Sequence, residues 1–214
     1  MTALAHEVIP VVADSPVSDL DEVLWQAWKA MDLPEGYRAE IIEGAIEVSP
    51  TGVRRHMVPI FRLRKALDTH LADSDYEVFH DGNVVYRRKV WIPDLFVGPA
   101  DPDEIPDEYG WGVDASGVSL VVEVVSPGRL NTERDRVRKR REYARAGIPV
   151  YVLVDDHDGD GVVLILTTPN PGKAVYEDEH RVPYGTDAIV PSGPAKGLAI
   201  GAEITRRPEP PEQS

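Results

Sequence analysis

Residues 119–125 read Ser-Leu-Val-Val-Glu-Val-Val (SLVVEVV), an apolar run interrupted by a single carboxylate, Glu123. A run that is apolar on both faces predicts a central strand covered on two sides by other elements. Turn-forming residues bound the run, since Gly117 precedes it and Ser126-Pro127-Gly128 follow it. We therefore place this strand at the centre of the predicted sheet.

Glu123 is the most informative residue of the strand, because a carboxylate among valines loses its hydration. An unpaired buried charge is very costly, so a divalent cation or a lysine is needed to compensate it. The alternative is a glutamate at a strand end that points to solvent or bonds an arginine of the helix that follows. The strand alone leaves both interpretations open.

A second carboxylate, Asp94, lies in the otherwise apolar stretch KVWIPDLFVG, residues 89–98. Pro93 directly before it favours an edge or the start of a strand. Asp94 alone is more typical of a turn or a helix cap. Paired with Glu123 on a neighbouring strand end, it indicates the oxygen ligands of a Mg²⁺ site.

A basic helix is predicted after the central strand. Residues 129–145 carry eight basic and three acidic side chains, a local charge of +5 in a chain whose net charge is −14. Asp135, Lys139 and Tyr143 are four residues apart and share one helix face, from which Lys139 can reach back to Glu123. Such a helix either binds an anion or pairs with the acidic remainder of the chain.

The remaining sequence alternates helical and extended patterns. Ser18 and Asp21 match a capping box that opens the first helix. Two strands are predicted around Glu43-Gly44, then a helix to Leu71 with Pro59 in its first turn, and strands at 76–80, 83–86 and 89–97. The acidic loop at 98–117 is predicted to be disordered or functional. A capping box of Thr132 and Asp135 is predicted to open the next helix, followed by a hairpin of 150–154 and 162–166 and only short strands beyond Pro169.

Length and composition narrow the class of protein. The 214 residues favour one domain over residues 18–205, with a flexible N-terminus at 1–17 and a disordered tail at 206–214. The absence of cysteine excludes disulfide frameworks, thiolate zinc sites and cysteine nucleophiles. We find no membrane-spanning run and no secretory signal, so we expect a cytoplasmic protein without a membrane partner.

Taken in order, these fragments resemble one family, the Uma-type putative restriction endonucleases of the PD-(D/E)XK nuclease superfamily. The likeness covers residues 37–155 and implies an α/β fold with a restriction-endonuclease-like core, a mixed β-sheet flanked by helices. The fragments that carry it are YRAEIIEGAIEVSP (37–50), a helix start near His56, IPDLFVG (92–98), LVVEVVSP (120–127), the spacing Asp135-x₃-Lys139-x₃-Tyr143, and AGIPVYVLVD (146–155).

The resemblance implies a metal site. Asp94 and Glu123 are expected to bind Mg²⁺ or Mn²⁺ from adjacent strands, and the backbone carbonyl of Val124 is expected to be a further ligand. Glu40 matches the upstream acidic residue of the family, which completes the metal shell or orients a water molecule.

One position departs from the superfamily pattern. Val125 stands where the superfamily has a lysine, two residues after the glutamate. In this family the lysine lies on the following helix, which implies that Lys139 positions or deprotonates the attacking water. Arg138, Tyr143 and His56 are expected to contact the substrate, and Tyr143 also to support Lys139.

The expected activity is that of a metal-dependent endodeoxyribonuclease, with DNA as the substrate. Because cutting two strands requires two sites, the analogy also favours a homodimer. Two alternatives stay open: an inactive nuclease-fold protein that binds nucleic acid or protein, and a small-molecule hydrolase with the loop at 98–117 as its lid. The acidic total argues against DNA, because affinity for the DNA backbone comes from lysine and arginine.

Overall fold

The structure, a computed structural model, describes residues 18–50 and 54–206, except for the side chains of residues 54 and 55. Residues 1–17, and residues 207–214 of the predicted tail, lie outside the described part. None of the helices in this part is both long and apolar enough to cross a bilayer.

The helices are short except for the second, and a π-helical turn joins the third to the fourth. They are α1 (Asp19–Lys29), α2 (Arg54–Leu71), α3 (Arg129–Glu133), the π-helical turn Arg134–Lys139, α4 (Arg140–Ala146) and α5 (Ala202–Thr205), with 3₁₀ turns at Pro102–Glu104 and Ala115–Gly117. The strands are β1 (Tyr37–Ile42), β2 (Ala45–Pro50), β3 (Tyr76–Phe79), β4 (Val84–Tyr86), β5 (Lys89–Trp91), β6 (Leu95–Pro99), β7 (Val113–Asp114), β8 (Leu120–Val124), β9 (Val150–Asp155), β10 (Val162–Asn170), β11 (Val175–Pro183), β12 (Ala188–Ile189) and β13 (Ala199–Ile200).

The predicted mixed sheet flanked by helices is present, and a second sheet lies beside it. The mixed sheet has the order β11-β10-β9-β8-β6-β3. Within it, β8 runs parallel to β9 and antiparallel to β6, so the SLVVEVV strand is interior as predicted. The second sheet has the order β2-β1-β5-β4-β7, and β12 pairs with β13.

Strand β8 is buried along its whole length and is packed on both faces. The even-numbered residues of β8 join the core under α2. Val121, and Val125 directly after the strand, join the core under α4. Because side chains alternate along a strand, Glu123 faces α4. The first core includes Leu63, Leu67, Leu120, Val122 and Val124, and the second includes Val121, Val125, Tyr143 and Ala144.

The stretch 89–97, predicted as one strand, forms two strands that belong to different sheets. Proline lacks the amide hydrogen that a strand ladder requires, so Pro93 interrupts the stretch between β5, which pairs with β1 and β4, and β6, which pairs with β3 and β8. Asp94 follows it directly and precedes the first residue of β6. The break therefore places this carboxylate at the junction of the two sheets.

The helix after β8 begins earlier than predicted, at Arg129. The hydroxyl of Thr132 donates to the carbonyl of Gly128, and the carboxylate of Asp135 bonds Arg134. The predicted capping box of Thr132 and Asp135 is therefore wrong, because both side chains have other partners.

Two further predictions need correction. Pro59 lies inside α2, in its second turn rather than its first. Beyond Pro169 the chain forms more than short strands, because β10 extends to Asn170 and pairs with the nine-residue β11. The buried residues Tyr176 and Val182 anchor β11 against the core.

The acidic loop at 98–117 is built into the second sheet. The carboxylate of Asp107 accepts hydrogen bonds from the N–H groups of Tyr109, Trp111 and Gly112. Its segment β7 pairs in parallel with β4. This packing makes the loop part of the sheet and not a separate lid.

Gly112 provides a test of this packing, because a Cβ there would lie 2.2 Å from the carbonyl oxygen of Asn83. We expect Gly112→Ala to lower the free energy of unfolding by about 1–3 kcal/mol in urea denaturation. Gly172→Ala is the control, since its Cβ would meet nothing closer than 3.7 Å. Equal stability of the two variants would contradict the described contact.

Candidate active site

The three carboxylates predicted as metal ligands are buried close together, and two of them, Glu40 and Glu123, contact Lys139. The register of β6 and β8 pairs Leu95 with Val122, so one residue further Asp94 lies opposite Glu123. Glu40 comes from β1 in the second sheet. The exposed fractions are 7% for Asp94, 2% for Glu123, 1% for Glu40 and 0% for Lys139.

The ammonium group of Lys139 lies between two of these carboxylates. Its Nζ atom is 2.9 Å from Oε1 of Glu40 and 2.8 Å from Oε1 of Glu123. The same Glu40 oxygen accepts a hydrogen bond from the N–H of Ile92 at 2.7 Å. Lys139 therefore reaches back to Glu123, as the helix spacing predicted, and also connects the two sheets.

Asp94 has its own set of partners. Its Oδ2 accepts a hydrogen bond from the N–H of Val124 at 2.8 Å, and its Oδ1 lies 3.1 Å from Nε2 of His56 and 3.6 Å from the guanidinium of Arg38. Burial alone would raise the pKa of Asp94, but these bonds and charges outweigh it and lower the pKa. Asp94 is therefore held in its ionised form.

His56 lies against Asp94 at the start of α2. Burial lowers the pKa of His56, but the hydrogen bond and the charge of Asp94 outweigh burial and raise the pKa above its ordinary value. Arg38, on the same strand face as Glu40 by the period of two, was missed by the sequence analysis. That period is the signal that could have identified it.

Glu123 is the least compensated carboxylate of the cluster. Loss of hydration raises its pKa to about 7, because burial and the charges of Asp94, Asp135 and Glu40 outweigh the attraction of Lys139. Its Oε1 also accepts a hydrogen bond from the hydroxyl of Tyr143, which is 0% exposed.

Tyr143 and Arg138 were expected to contact the substrate, but the structure gives both other partners. Tyr143 holds Glu123 from within the core. The guanidinium of Arg138 bonds the carboxylate of Glu47 and donates to the carbonyl of Ile42 at 2.7 Å. Both side chains are thus engaged in the fold.

A π-helical turn directs charged side chains of the basic helix inward. Its i to i+5 hydrogen bonding brings residues five apart nearly above one another, so Arg134 and Lys139 point the same way. Arg134 donates to Asp135 at 2.7 Å, and all three side chains are buried. Burial raises the pKa of Asp135 despite the charge of Arg134. The sequence analysis did not identify Arg134, because it assumed a regular α-helix.

Four outward arginines of this helix are paired with carboxylates from the rest of the chain, whereas Arg129, at its start, is exposed. This confirms the interpretation of the helix as a partner of the acidic remainder. The pairs are Arg136 with Asp155 at 2.6 Å, Arg140 with Glu179 at 2.8 Å, Arg141 with Glu43 at 2.7 Å, and Arg145 with Glu43 at 3.4 Å.

The donor atoms of the cluster are carboxylate oxygens, which suit a hard divalent cation. Within residues 18–50 and 54–206, no three acidic or histidine side chains are arranged to hold a metal ion. Lys139 contacts the Oε1 atoms of Glu40 and Glu123 instead. Mg²⁺ needs only one or two protein carboxylates besides water, so Asp94 opposite Glu123 fits such an ion.

An open cavity of about 380 Å³ reaches the cluster from the surface. Asp94, His56 and Arg38 line it, together with Met57 and Phe61 of α2. Asp94 therefore lies at the boundary between the cavity and the buried cluster.

Comparison with known proteins identifies the family and the fold. The family model Uma2, described as putative restriction endonuclease, matches residues 25–189. A crystal structure of a putative nuclease belonging to DUF820 from Anabaena variabilis ATCC 29413 superimposes with a TM-score of 0.60 at 16% identity. The match covers 87% of this chain and 97% of that chain, and shows a shared fold. Comparison with curated proteins gives no match.

Lys139 can be tested as the cation that compensates the cluster. We expect Lys139→Met to lower the free energy of unfolding by about 3–5 kcal/mol at pH 8, because two buried carboxylates lose their partner. The loss should be smaller at pH 6. Without the ammonium the already raised pKa of Glu123 rises further, so the folded variant binds an extra proton and gains stability as the pH falls.

Urea denaturation at both pH values measures the effect. Lys173→Met, at an exposed lysine, is the control and should change stability by less than about 0.5 kcal/mol. A Lys139→Met variant with the same loss at pH 6 and pH 8 would argue against compensation of a titrating carboxylate.

Proposed function

Since the chain belongs to the Uma2 family of putative restriction endonucleases, we propose that it is a metal-dependent DNA endonuclease that hydrolyses phosphodiester bonds. The observation that carries the proposal is the meeting of Glu40, Asp94, Glu123 and Lys139 beside an open cavity. These side chains come from distant parts of the sequence, and burying their charges costs stability. Clusters of this kind are typical of functional sites.

Mg²⁺ or Mn²⁺ would be held by Asp94 and Glu123, with the carbonyl of Val124 as a further ligand, whereas the expected ligand Glu40 is bonded by Lys139 and by the N–H of Ile92. When bound, such an ion makes water nucleophilic at neutral pH and offsets the charge that develops on the phosphate. The lowered pKa of Asp94 supports its role, because the carboxylate is ionised before a cation arrives.

Lys139 would stabilise negative charge and hold a water molecule in place. Carboxylates on two sides outweigh its burial and raise its pKa, so the side chain is an ammonium group. An ammonium donates hydrogen bonds but cannot accept a proton. Of the two roles expected for Lys139, this supports positioning and charge stabilisation over deprotonation of the water.

Replacing the two facing carboxylates tests the proposal. In a plasmid cleavage assay with Mn²⁺, we expect Asp94→Asn and Glu123→Gln each to lower the rate at least about 100-fold. Both replacements preserve side-chain shape, and thermal unfolding checks that the variants fold. Glu77→Gln, at an exposed carboxylate on β3, should cleave at the wild-type rate.

Absence of cleavage of both plasmid and single-stranded DNA by the wild-type protein with either metal, or full activity of both variants, would refute this assignment. DNA binding without cleavage would instead favour the inactive binding module.

Tyr143 is expected to act as a positioning residue for Glu123. Tyr143→Phe keeps the ring, which packs edge-on against Trp91 and Tyr151, but removes the hydrogen bond to the carboxylate. We expect kcat to fall about 10-fold with KM unchanged, as is typical for loss of a group that orients a metal ligand.

Tyr176→Phe is the matched control, because its hydroxyl is also buried but donates to the carbonyl of Ile148 at 2.9 Å. Steady-state kinetics on a defined DNA fragment separates the two variants. The same fall in kcat in both would mean that only core packing is affected.

A further inference from the structure

One wall of the cavity beside Asp94 is a face of α2 that exposes two apolar side chains, Met57 and Phe61, while Ile60 on the same face also packs against the core. Met57, Ile60, Phe61 and Arg64 of α2 are spaced as i, i+3, i+4 and i+7, and all four line the cavity. Met57 is 58% exposed and Phe61 is 69% exposed. The core-facing residues of the same helix are instead Leu63, Leu67 and Leu71.

The cavity combines this apolar wall with cationic and polar groups. Arg38 and Arg64 line the cavity. His80, directly after β3, lines it as well. The Nε atom of Arg38 is buried and has no hydrogen-bond partner among the described residues. A volume of about 380 Å³ suits a small planar group rather than a folded partner.

The rest of the described surface offers few contacts that would give affinity for a DNA duplex. Non-specific affinity for a duplex comes from lysine and arginine that neutralise phosphates. The chain has a net charge of −14, and four of the outward arginines of the basic helix, Arg129 excepted, are paired with carboxylates. Affinity for a nucleic acid therefore has to come mainly from contacts near the site itself.

We propose that this cavity binds an unpaired base of single-stranded DNA, stacked on Phe61 and Met57, while the adjacent phosphate lies at Asp94. This inference rests on the proposed nuclease function and adds its substrate class. Arg38 lines the same cavity as Asp94, and its guanidinium lies 3.6 Å from Oδ1 of Asp94, which places a positive charge beside the phosphate.

Stacking on an exposed aromatic ring supplies affinity that does not depend on a positive surface. Every base has a flat face, so such a contact tolerates any sequence. In a duplex the bases are paired and stacked on each other, and placing one in the cavity would require flipping it out of the helix. A single strand presents its bases without that cost, so it is the favoured substrate.

Binding of a fluorescein-labelled single-stranded dT12 oligonucleotide tests the inference without requiring catalysis. Fluorescence anisotropy with Ca²⁺ compares the wild-type protein, Phe61→Ala and the control Val23→Ala, an apolar residue of α1 that is 63% exposed. We expect Phe61→Ala to weaken binding about 5- to 100-fold and Val23→Ala to leave it unchanged. The wild-type protein should bind a 12-base-pair duplex at least about 10-fold more weakly than the single strand.

The outcomes separate this inference from the proposed nuclease function. Equal binding by Phe61→Ala and the wild-type protein, equal affinity for duplex and single strand, or no binding of dT12 would each overturn it, even if plasmid DNA is cleaved with Mn²⁺. Binding that depends on Phe61 without any cleavage would support the cavity assignment while contradicting the nuclease function.

Discussion

The fold is built around one buried ammonium group held between two carboxylates. Lys139 comes from the helix after β8, Glu123 from the mixed sheet and Glu40 from the second sheet, so this contact ties three elements together. Removing ions from water costs several kcal/mol each, and a well-packed apolar substitute is often as stable. A cluster of this kind is therefore weak evidence for stability and stronger evidence for chemistry at the site.

The position of each charged group follows from a local irregularity. Pro93 divides a long apolar stretch and leaves Asp94 at the junction of the sheets, opposite Glu123. The π-helical turn brings Lys139 and Arg134 to the same inward face. Both features interrupt regular hydrogen bonding, which is a small loss of stability that sequences usually avoid outside functional sites.

Much of this arrangement was predictable from the sequence, and the missing parts have identifiable causes. An apolar strand with one glutamate implied a buried compensated charge, and the spacing of the basic helix brought Lys139 to Glu123. The second sheet was not predicted, because strand patterns carry no information about which strands pair across the chain. The family resemblance supplied Glu40 as a site residue, but its contact with Lys139 depends on that pairing.

The basic helix was the hardest element to interpret. Its two interpretations, anion binding and pairing with the acidic remainder of the chain, differ only in long-range contacts. The partners of its arginines lie on β1–β2, β9 and β11, up to about a hundred residues away, which helical spacing cannot reveal. The family resemblance implied that Arg138 and Tyr143 contact the substrate but not that they bond Ile42 and Glu123, since a motif gives residue identity and not the direction of a side chain.

These pairings determine how an acidic protein can act on a polyanion. A surface with excess carboxylates repels phosphates at most positions, so a nucleic acid gains no affinity by lying along the protein in the wrong place. Under the proposed function, the main attraction lies at the cavity, which Arg38, Asp94 and the exposed ring of Phe61 line. Negative charge elsewhere thus selects among substrates, because only one that inserts a base into the cavity gains enough binding energy to offset the repulsion. On this view the net charge of −14, which at first argues against DNA as a substrate, is consistent with selecting the form of DNA that fits the cavity.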